Sequence, residues 1–280
     1  MAISEARSRP EVLRSTWLGW PGAFALLGIL AFGVFTALPG TVEGKSLAVL
    51  HGLCAQQPAH SYYFDEARLP FDARMTGIYG GFALTAAYLA VRGRWRYAAV
   101  PQVRLLVVLL LMVLPLAVDG FNSLLQDIAL PYLYEPRNVL RTVTGLLLGT
   151  SLATFVWMLV GQTAFRPTER MGRHIWRGLP ELALVVGSQL LLAAAVGYSG
   201  LPMRIPLSYL LMASAALVVT GLLLPFVLLI TRSEQRATTT EEIARPATLA
   251  LICALVFIAA LAGGRFFLEL VLGVSAQVPA

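Results

Sequence analysis

Seven apolar blocks, each near the length of a bilayer crossing, constrain this chain more than any other feature. Hydrophobic residues occupy 58% of the 280 positions and charged residues 13%, whereas soluble domains carry roughly 25% charged residues. A helix needs about 20 apolar residues to cross the hydrocarbon core. The sequence therefore predicts an all-α polytopic membrane bundle with about seven transmembrane helices. We place these spans at 17–38, 76–92, 103–119, 142–162, 180–198, 206–230 and 247–272.

The positions of Lys and Arg predict the orientation, because cytoplasmic loops carry an excess of them. With the N-terminus inside, the inner segments hold fourteen basic residues and the outer segments six. The sequence thus predicts a multi-pass protein of the plasma membrane, with its N-terminus inside and its C-terminus outside. The net charge of +6 is a topology signal spread over several short segments. The expected partners are membrane lipids and other membrane proteins, and a nucleic acid is not expected.

The chain divides into four segments on this interpretation. Residues 1–16 form a cytoplasmic tail, 17–44 the first span and its loop, 45–164 a core, and 165–280 a three-span extension. Most of the unusual polar content falls in two outer loops, 39–75 and 119–141. Polar groups near the membrane are costly and are usually kept for a task, so we expect any functional site there.

Helical spacing of apolar residues predicts an interfacial helix over 45–56 in the first outer loop. Its apolar side, with Leu47, Leu50 and Cys54, is expected to rest on the membrane, and Pro58 should end it. The following run TGIYGG opens the second span. Its glycines would let another helix or a ligand approach the backbone closely.

One candidate site is a metal centre formed by His51, Cys54, His60 and Asp72, all of residue types that bind zinc. The first two are three residues apart and share a face of the expected helix. Their spacing matches no standard zinc finger. The alternative is an interfacial histidine, a buried cysteine, a surface histidine and a solvated aspartate, without any metal.

A second candidate site lies where the outer ends of spans two, three and four should meet. Arginine offers several donors suited to carboxylate or phosphate. The charged residues there could pair with each other and fix the bundle, or the excess positive charge could receive an anionic ligand. The candidate ligand-binding residues are Arg74, Thr76, Gly77, Asp119, Asn138 and Arg141.

Three further polar features favour structural roles. Arg265 and Glu269 are four residues apart in the last span and can pair. Gln189 and Glu181 are expected to form helix–helix or helix-end hydrogen bonds. A run of arginines is spaced to line one helical face on anionic lipid or simply to anchor the topology. These arginines are Arg166, Arg170, Arg173 and Arg177.

The outer-loop residues also carry a resemblance to a known family. Its signature reads approximately C-H-Q-x-P-x-R-S-F followed by L-P-x-C-x-R-C-T-G-I-Y-x-G-F. The matching residues are Cys54, Gln56, Pro58, Ser61, Tyr62, Leu69, Pro70, Ala73, Arg74, Thr76, Gly77, Ile78, Tyr79, Gly81 and Phe82. Asp119-Gly120 and the set Asn138, Arg141, Thr144 and Gly145 resemble two further signatures. On these motifs, residues 45 to about 162 resemble the small prokaryotic membrane proteins of domain of unknown function 2085.

This chain departs from that signature at the positions most able to bind a metal. Ala55 replaces the family's histidine, His60 its arginine, and Asp72 and Met75 its paired cysteines. The resemblance therefore implies a divergent member without the metal or redox centre that a typical member would suggest. We expect a non-enzymatic binding, carrier or complex-subunit role at an outer-face polar pocket. The alternative is a metal-binding or redox protein, and no cofactor is favoured.

Overall fold

The computed structural model describes residues 19–64, 66–94, 96–167, 172–199 and 203–274. Nine α-helices lie within these residues, joined in one place by a two-stranded hairpin. The helices are α1 Trp20–Ala37, α2 Val42–Val49, α3 Ala73–Val91, α4 Val103–Leu111, α5 Leu114–Asp127, α6 Asn138–Ala164, α7 Leu179–Ser199, α8 Arg204–Ile230 and α9 Thr240–Leu272. The strands are β1 Ser61–Phe64 and β2 Ala67–Asp72.

Six helical segments of the described chain are long and apolar enough to cross a membrane. They are α1, α4 together with α5, α6, α7, α8 and α9, so a polytopic helical membrane protein is confirmed. The third predicted span is longer than expected and reaches Asp127. It is interrupted at Met112–Val113, just before Pro115 in the first turn of α5, where a missing backbone N–H is tolerated.

The second predicted span corresponds to α3, which has 19 residues but is not among those six. It runs parallel to α6, and four glycines bring the two backbones together. A Cβ atom on Gly77 would lie 2.3 Å from the carbonyl oxygen of Thr142, and one on Gly149 would lie 2.2 Å from that of Ile78. Gly145 and Gly81 are equally close to the facing backbone. The glycines therefore serve helix packing, the first of the two uses expected from the sequence.

The segment between α1 and α3 differs from the sequence prediction in two ways. The helix α2 ends at Val49, so the predicted helix over 45–56 is wrong in its second half. The chain turns over residues 50–53, and Gln56 adopts a positive φ of 55°. The apolar residues Leu47, Leu50 and Cys54 are buried within the protein and do not form a lipid-facing side.

The second difference is the antiparallel hairpin of β1 and β2, which an all-α prediction did not include. Ser61 pairs with Asp72 and Phe64 with Ala67. Because Asp72 also accepts a hydrogen bond from the N–H of Met75 at 2.9 Å, it is the N-cap of α3. The hairpin thus leads directly into the helix that carries Arg74.

Contacts along the helices define two ends of the bundle. We call the hairpin end the one that contains β1 and β2, the start of α6 and the C-terminal half of α9. The opposite end contains the α3–α4 and α6–α7 connections. Buried residues of α3, α6 and α8, together with Phe71 of β2, form one apolar cluster, so α8 of the C-terminal extension packs directly on the core.

The run of four arginines after α6 does not line one helical face. No residue from 165 to 178 in the described chain is α-helical, and Arg170 lies outside the described residues. Ile175 and Trp176 are fully buried there, and the indole Nε1 of Trp176 donates to the Thr154 hydroxyl at 3.1 Å. Burial of these two side chains holds the connection against the bundle instead.

Candidate functional site

Asp119 is the centre of the polar cluster at the hairpin end. It lies in α5 and is completely buried. Arg74 Nη2 donates to its Oδ2 at 2.7 Å, and the hydroxyl of Tyr134 donates to its Oδ1 at 3.0 Å. Both carboxylate oxygens therefore have partners, and the ion pair joins α3 to α5. Burial and the hydrogen bond to Asp119 raise the pKa of Tyr134, which keeps the phenol protonated.

Arg141 enters the same cluster from α6, but without a carboxylate of its own. Its Nη1 donates to Asn138 Oδ1 at 2.9 Å, and its Nη2 lies 3.5 Å from the hydroxyl oxygen of Ser123. Arg74 Nη2 reaches that same hydroxyl at 3.0 Å. Two guanidinium groups therefore converge on one neutral oxygen beside one carboxylate.

Each of the two arginines also has one buried donor without a hydrogen-bond partner among the described residues. The Nε atoms of Arg74 and Arg141 are buried and have no hydrogen-bond partner among the described residues. Arg141 is 4% exposed and forms no ion pair within the described part of the chain. Buried donors are nearly always satisfied in proteins. These Nε groups are therefore candidate contacts for a ligand that accepts hydrogen bonds.

The loop between α5 and α6 is fixed to the cluster by Asn122. Its side-chain oxygen accepts from the N–H of Leu133 at 2.7 Å, and its nitrogen donates to the carbonyl oxygen of Tyr134 at 2.8 Å. Sequence reasoning missed both Asn122 and Ser123. Their spacing of three and four residues from Asp119 places all three on one helix face, which is the signal that could have found them. No comparable signal marks Tyr134.

The structure thus brings together Arg74, Asp119, Asn138 and Arg141, as their places at neighbouring span ends suggested. The other two predicted ligand-binding residues lie apart from this arrangement. The hydroxyl of Thr76 faces the carbonyl oxygen of Phe71 at 3.4 Å. Gly77 is enclosed by the backbone of α6, so it serves packing.

The four residues of the candidate metal centre have other partners. His51 and Cys54 do not share a helix, since α2 ends before them. The ring of His51 lies between Gln56 Oε1 at 3.0 Å and Glu269 Oε2 at 2.7 Å. His60 Nε2 lies 3.5 Å from Asp127 Oδ1. No group of three or more His, Cys, Asp or Glu residues that could hold a metal occurs among the described residues.

Cys54 and Asp72 are neighbours, but their geometry favours a buried thiol. The Sγ atom accepts hydrogen bonds from the N–H groups of Gln56 at 3.3 Å and Asp72 at 3.5 Å. Burial, and after it the nearby Asp72 charge, raises the pKa of the Cys54 thiol to about 12. A thiolate, which metal binding and nucleophilic attack require, is therefore strongly disfavoured.

A second polar cluster at the hairpin end connects α9 to the loop after α2. The predicted pair of Arg265 and Glu269 is present, with Nε to Oε1 at 2.9 Å. Arg265 also donates to the carbonyl oxygens of His51 at 2.7 Å and of Cys54. Because His51 contacts Glu269 as well, residues more than 200 positions apart hold the last helix against the loop after α2.

At the opposite end, Arg94 and Glu181 form a fully satisfied ion pair between α7 and the α3–α4 connection. Arg94 Nη2 donates to Glu181 Oε1 at 2.5 Å and Nη1 to Oε2 at 3.0 Å. The Tyr88 hydroxyl and the N–H of Arg177 also donate to this carboxylate. Glu181 therefore makes a helix-end contact, one of the two kinds expected.

In the middle of the bundle, Gln189 forms the expected helix–helix hydrogen bonds. Its Nε2 donates to the hydroxyl of Thr85 at 2.8 Å, and its Oε1 accepts from that of Thr150 at 3.0 Å. All three side chains are buried. They connect α7 with α3 and α6, and both polar atoms of the Gln189 side chain have a hydrogen-bond partner.

Comparison with known protein families returns a match over the middle of the chain. Residues 54–155 match the model of DUF2085, described as a predicted membrane protein. Neither curated proteins nor solved structures gave a significant match. The match covers α3 to α5 and about two thirds of α6, and it includes Arg74, Asp119, Asn138 and Arg141. Residues 54–155, a little over a third of the chain, are thus similar to the DUF2085 family of predicted membrane proteins.

Proposed function

We propose that this chain is a plasma-membrane protein of seven crossings that binds an anionic group at the hairpin end without transforming it. In this proposal the N-terminus is cytoplasmic and α3 is the seventh crossing. Two observations support this topology. The helix α3 packs along α6, and most arginines of the connecting loops lie at the end opposite the hairpin. A role as a carrier component or complex subunit would use such a site.

The binding proposal rests on Arg141, which is buried and forms no ion pair with any described residue. A guanidinium group that is 4% exposed should have an anionic partner, because an uncompensated buried charge is strongly unfavourable. Asp119, the acid within the cluster, is already paired with Arg74 and Tyr134. A carboxylate or phosphate oxygen beside Ser123 would accept from the Nε of Arg141 and compensate the second positive charge.

The anion we favour is the head group of an acidic lipid, because the proposed topology would put these helix ends at the outer surface of the membrane. His60, which lies 3.5 Å from Asp127, is close enough to Arg141 to be affected by its charge. Burial, and after it the charge of Arg141, lowers the pKa of His60. A bound anion would oppose this effect and raise the pKa of His60 again, which links occupancy to a measurable titration.

Lipid analysis of an Arg141→Gln variant tests this function. Wild type and variant are purified in detergent, and bound acidic lipid is counted by native mass spectrometry. Hydrogen bonds to charged groups contribute about 1.5–3 kcal/mol, so we expect roughly a ten-fold or larger loss of occupancy. Arg204→Gln at the start of α8 is the matched control, since it removes the same charge at the same end.

Two outcomes would contradict the lipid assignment. A monodisperse Arg141→Gln protein with wild-type lipid content would show that the site holds no lipid. Loss of a co-purifying protein without loss of lipid would assign the site to an acidic segment of a partner. A lower unfolding temperature in both Arg141→Gln and Arg204→Gln would indicate a general charge effect.

A further inference from the structure

A basic groove at the opposite end of the bundle forms a second site, distinct from the cluster at Asp119. It has a volume of about 340 Å³ and lies between the α3–α4 and α6–α7 connections. Four of its six lining residues are arginine or histidine. The lining residues are Val91, Arg92, Arg94, Tyr97, His174 and Arg177.

The positive charge of this groove is not neutralised by the described residues around it. Glu181, the acid beside it, already accepts two hydrogen bonds from Arg94, one from Tyr88 and one from the backbone N–H of Arg177. The guanidinium groups of Arg92 and Arg177 form no ion pair within the described part of the chain. Both side chains are exposed, so they remain available to a ligand.

The two connections that form the groove are held together before any ligand binds. Ala99 and His174 form a parallel bridge, and the N–H of Ala99 donates to the carbonyl oxygen of Arg173 at 3.3 Å. His174 is oriented by a contact of its Nδ1 with the carbonyl oxygen of Val100 at 2.9 Å. A site fixed in this way loses little conformational entropy on binding.

Arg94 forms a rigid base for the groove. It is 3% exposed, its guanidinium is fixed by Glu181, and its carbonyl oxygen accepts from the indole Nε1 of Trp157 at 2.9 Å. Its positive charge remains close to the groove even though it is paired. The groove therefore combines one buried, fixed cation with two exposed cations that can close around an anion.

We propose that this groove binds a phosphoryl group. Arginine guanidinium groups match phosphate oxygens in geometry and charge, and Arg92 and Arg177 stand on different connections, so that one phosphate can join them. Val91, at the end of α3, is 87% exposed and gives the groove an apolar edge. The phosphoryl group could belong to an acidic lipid or to a small soluble phosphate compound.

Ligand-induced thermal stabilisation of the full chain in detergent tests this proposal. The probes are inorganic phosphate, short-chain phosphatidylglycerol and short-chain phosphatidylcholine. The variant is Arg92→Gln/Arg177→Gln, which keeps the backbone N–H that Glu181 requires. The matched control is Arg104→Gln/Arg236→Gln, which removes two exposed arginines from the same end and leaves the groove intact.

We expect phosphatidylglycerol to stabilise the wild type and the control equally. Its apparent affinity should be lower by roughly ten-fold or more in Arg92→Gln/Arg177→Gln, because charge-assisted hydrogen bonds are lost. Stabilisation by inorganic phosphate as well would identify the phosphoryl group alone as the ligand, and stabilisation by phosphatidylglycerol only would identify a lipid. Equal affinity of the variant and the control for phosphatidylglycerol would overturn the proposal. So would a wild type that neither inorganic phosphate nor phosphatidylglycerol stabilises.

Discussion

The contact between α3 and α6 predicts a large difference between two substitutions of the same kind. Gly149→Ala would place a Cβ atom 2.2 Å from the carbonyl oxygen of Ile78 and 2.8 Å from the nitrogen of Phe82. Gly80→Ala is the control, because a Cβ at Gly80 meets nothing within 4 Å. Both changes replace glycine with alanine inside a helix, so they share the gain in helix propensity.

The magnitude follows from these distances. A carbon atom at 2.2 Å lies about 1 Å inside a normal contact, and backbone atoms cannot rotate away as a side chain can. Overpacking costs typically about 1–3 kcal/mol, and we expect the upper part of that range here. Alanine recovers about 1 kcal/mol of helix propensity. Gly149→Ala should therefore lower the free energy of unfolding by about 2 kcal/mol, and Gly80→Ala should raise it by up to about 1 kcal/mol.

Unfolding in detergent, followed by circular dichroism under increasing denaturant, measures both variants against the wild type. The expected order of stability is Gly80→Ala, then wild type, then Gly149→Ala. A Gly149→Ala protein as stable as Gly80→Ala would refute the close approach of the two helices. Equal loss in both variants would instead indicate a general intolerance of larger residues in these helices.

Three further predictions concern the hairpin end. Asp119→Asn leaves the buried guanidinium of Arg141 and the partly buried guanidinium of Arg74 without a carboxylate, and it should cost about 3–5 kcal/mol in unfolding free energy. The double variant Asp119→Asn/Arg74→Gln should recover part of this loss, and additive losses would argue against the ion pair. Burial raises the pKa of the Cys54 thiol to about 12, so in a Cys253→Ser background maleimide should label Cys54 slowly at pH 8, and rapid labelling at pH 8 would show that the thiol is not buried. Burial lowers the pKa of His60 below its usual value of 6.5, so the unfolded state binds the proton more readily than the folded state. The unfolding free energy should therefore fall as the pH drops below about 6.5. His60→Gln should weaken this pH dependence, and an unchanged pH profile in the variant would contradict the prediction.

Hydropathy and the distribution of arginines were sufficient to predict the membrane class and most of the helices. They also placed Arg74, Asp119 and Arg141 at neighbouring span ends, because consecutive spans must return to alternate sides. This reasoning predicts a contact wherever two residues lie at the ends of neighbouring spans on the same side of the membrane. The convergence of α3, α5 and α6 is a contact of that kind.

The remaining contacts could not be read from local patterns. The contact between His51 and Glu269 spans more than 200 positions, and hydrophobic periodicity says nothing about which side chains face each other at that separation. The helix predicted over 45–56 failed for a related reason. Its apolar residues fit a helical period, but Leu50 and Cys54 are buried by tertiary packing beyond the end of α2. Periodicity reports burial and does not specify the backbone that achieves it.

The glycine-mediated pairing of α3 with α6 bears on how the protein enters the membrane during synthesis. The helix α3 has 19 residues but is not among the six segments that are long and apolar enough to cross a membrane. Its main packing partner, α6, is made only after α4 and α5. We therefore expect α3 to leave the insertion machinery late, or to enter the bilayer reversibly until α6 arrives. Chains truncated before residue 138 should hold this segment poorly, so that biogenesis depends on the order in which the two helices emerge.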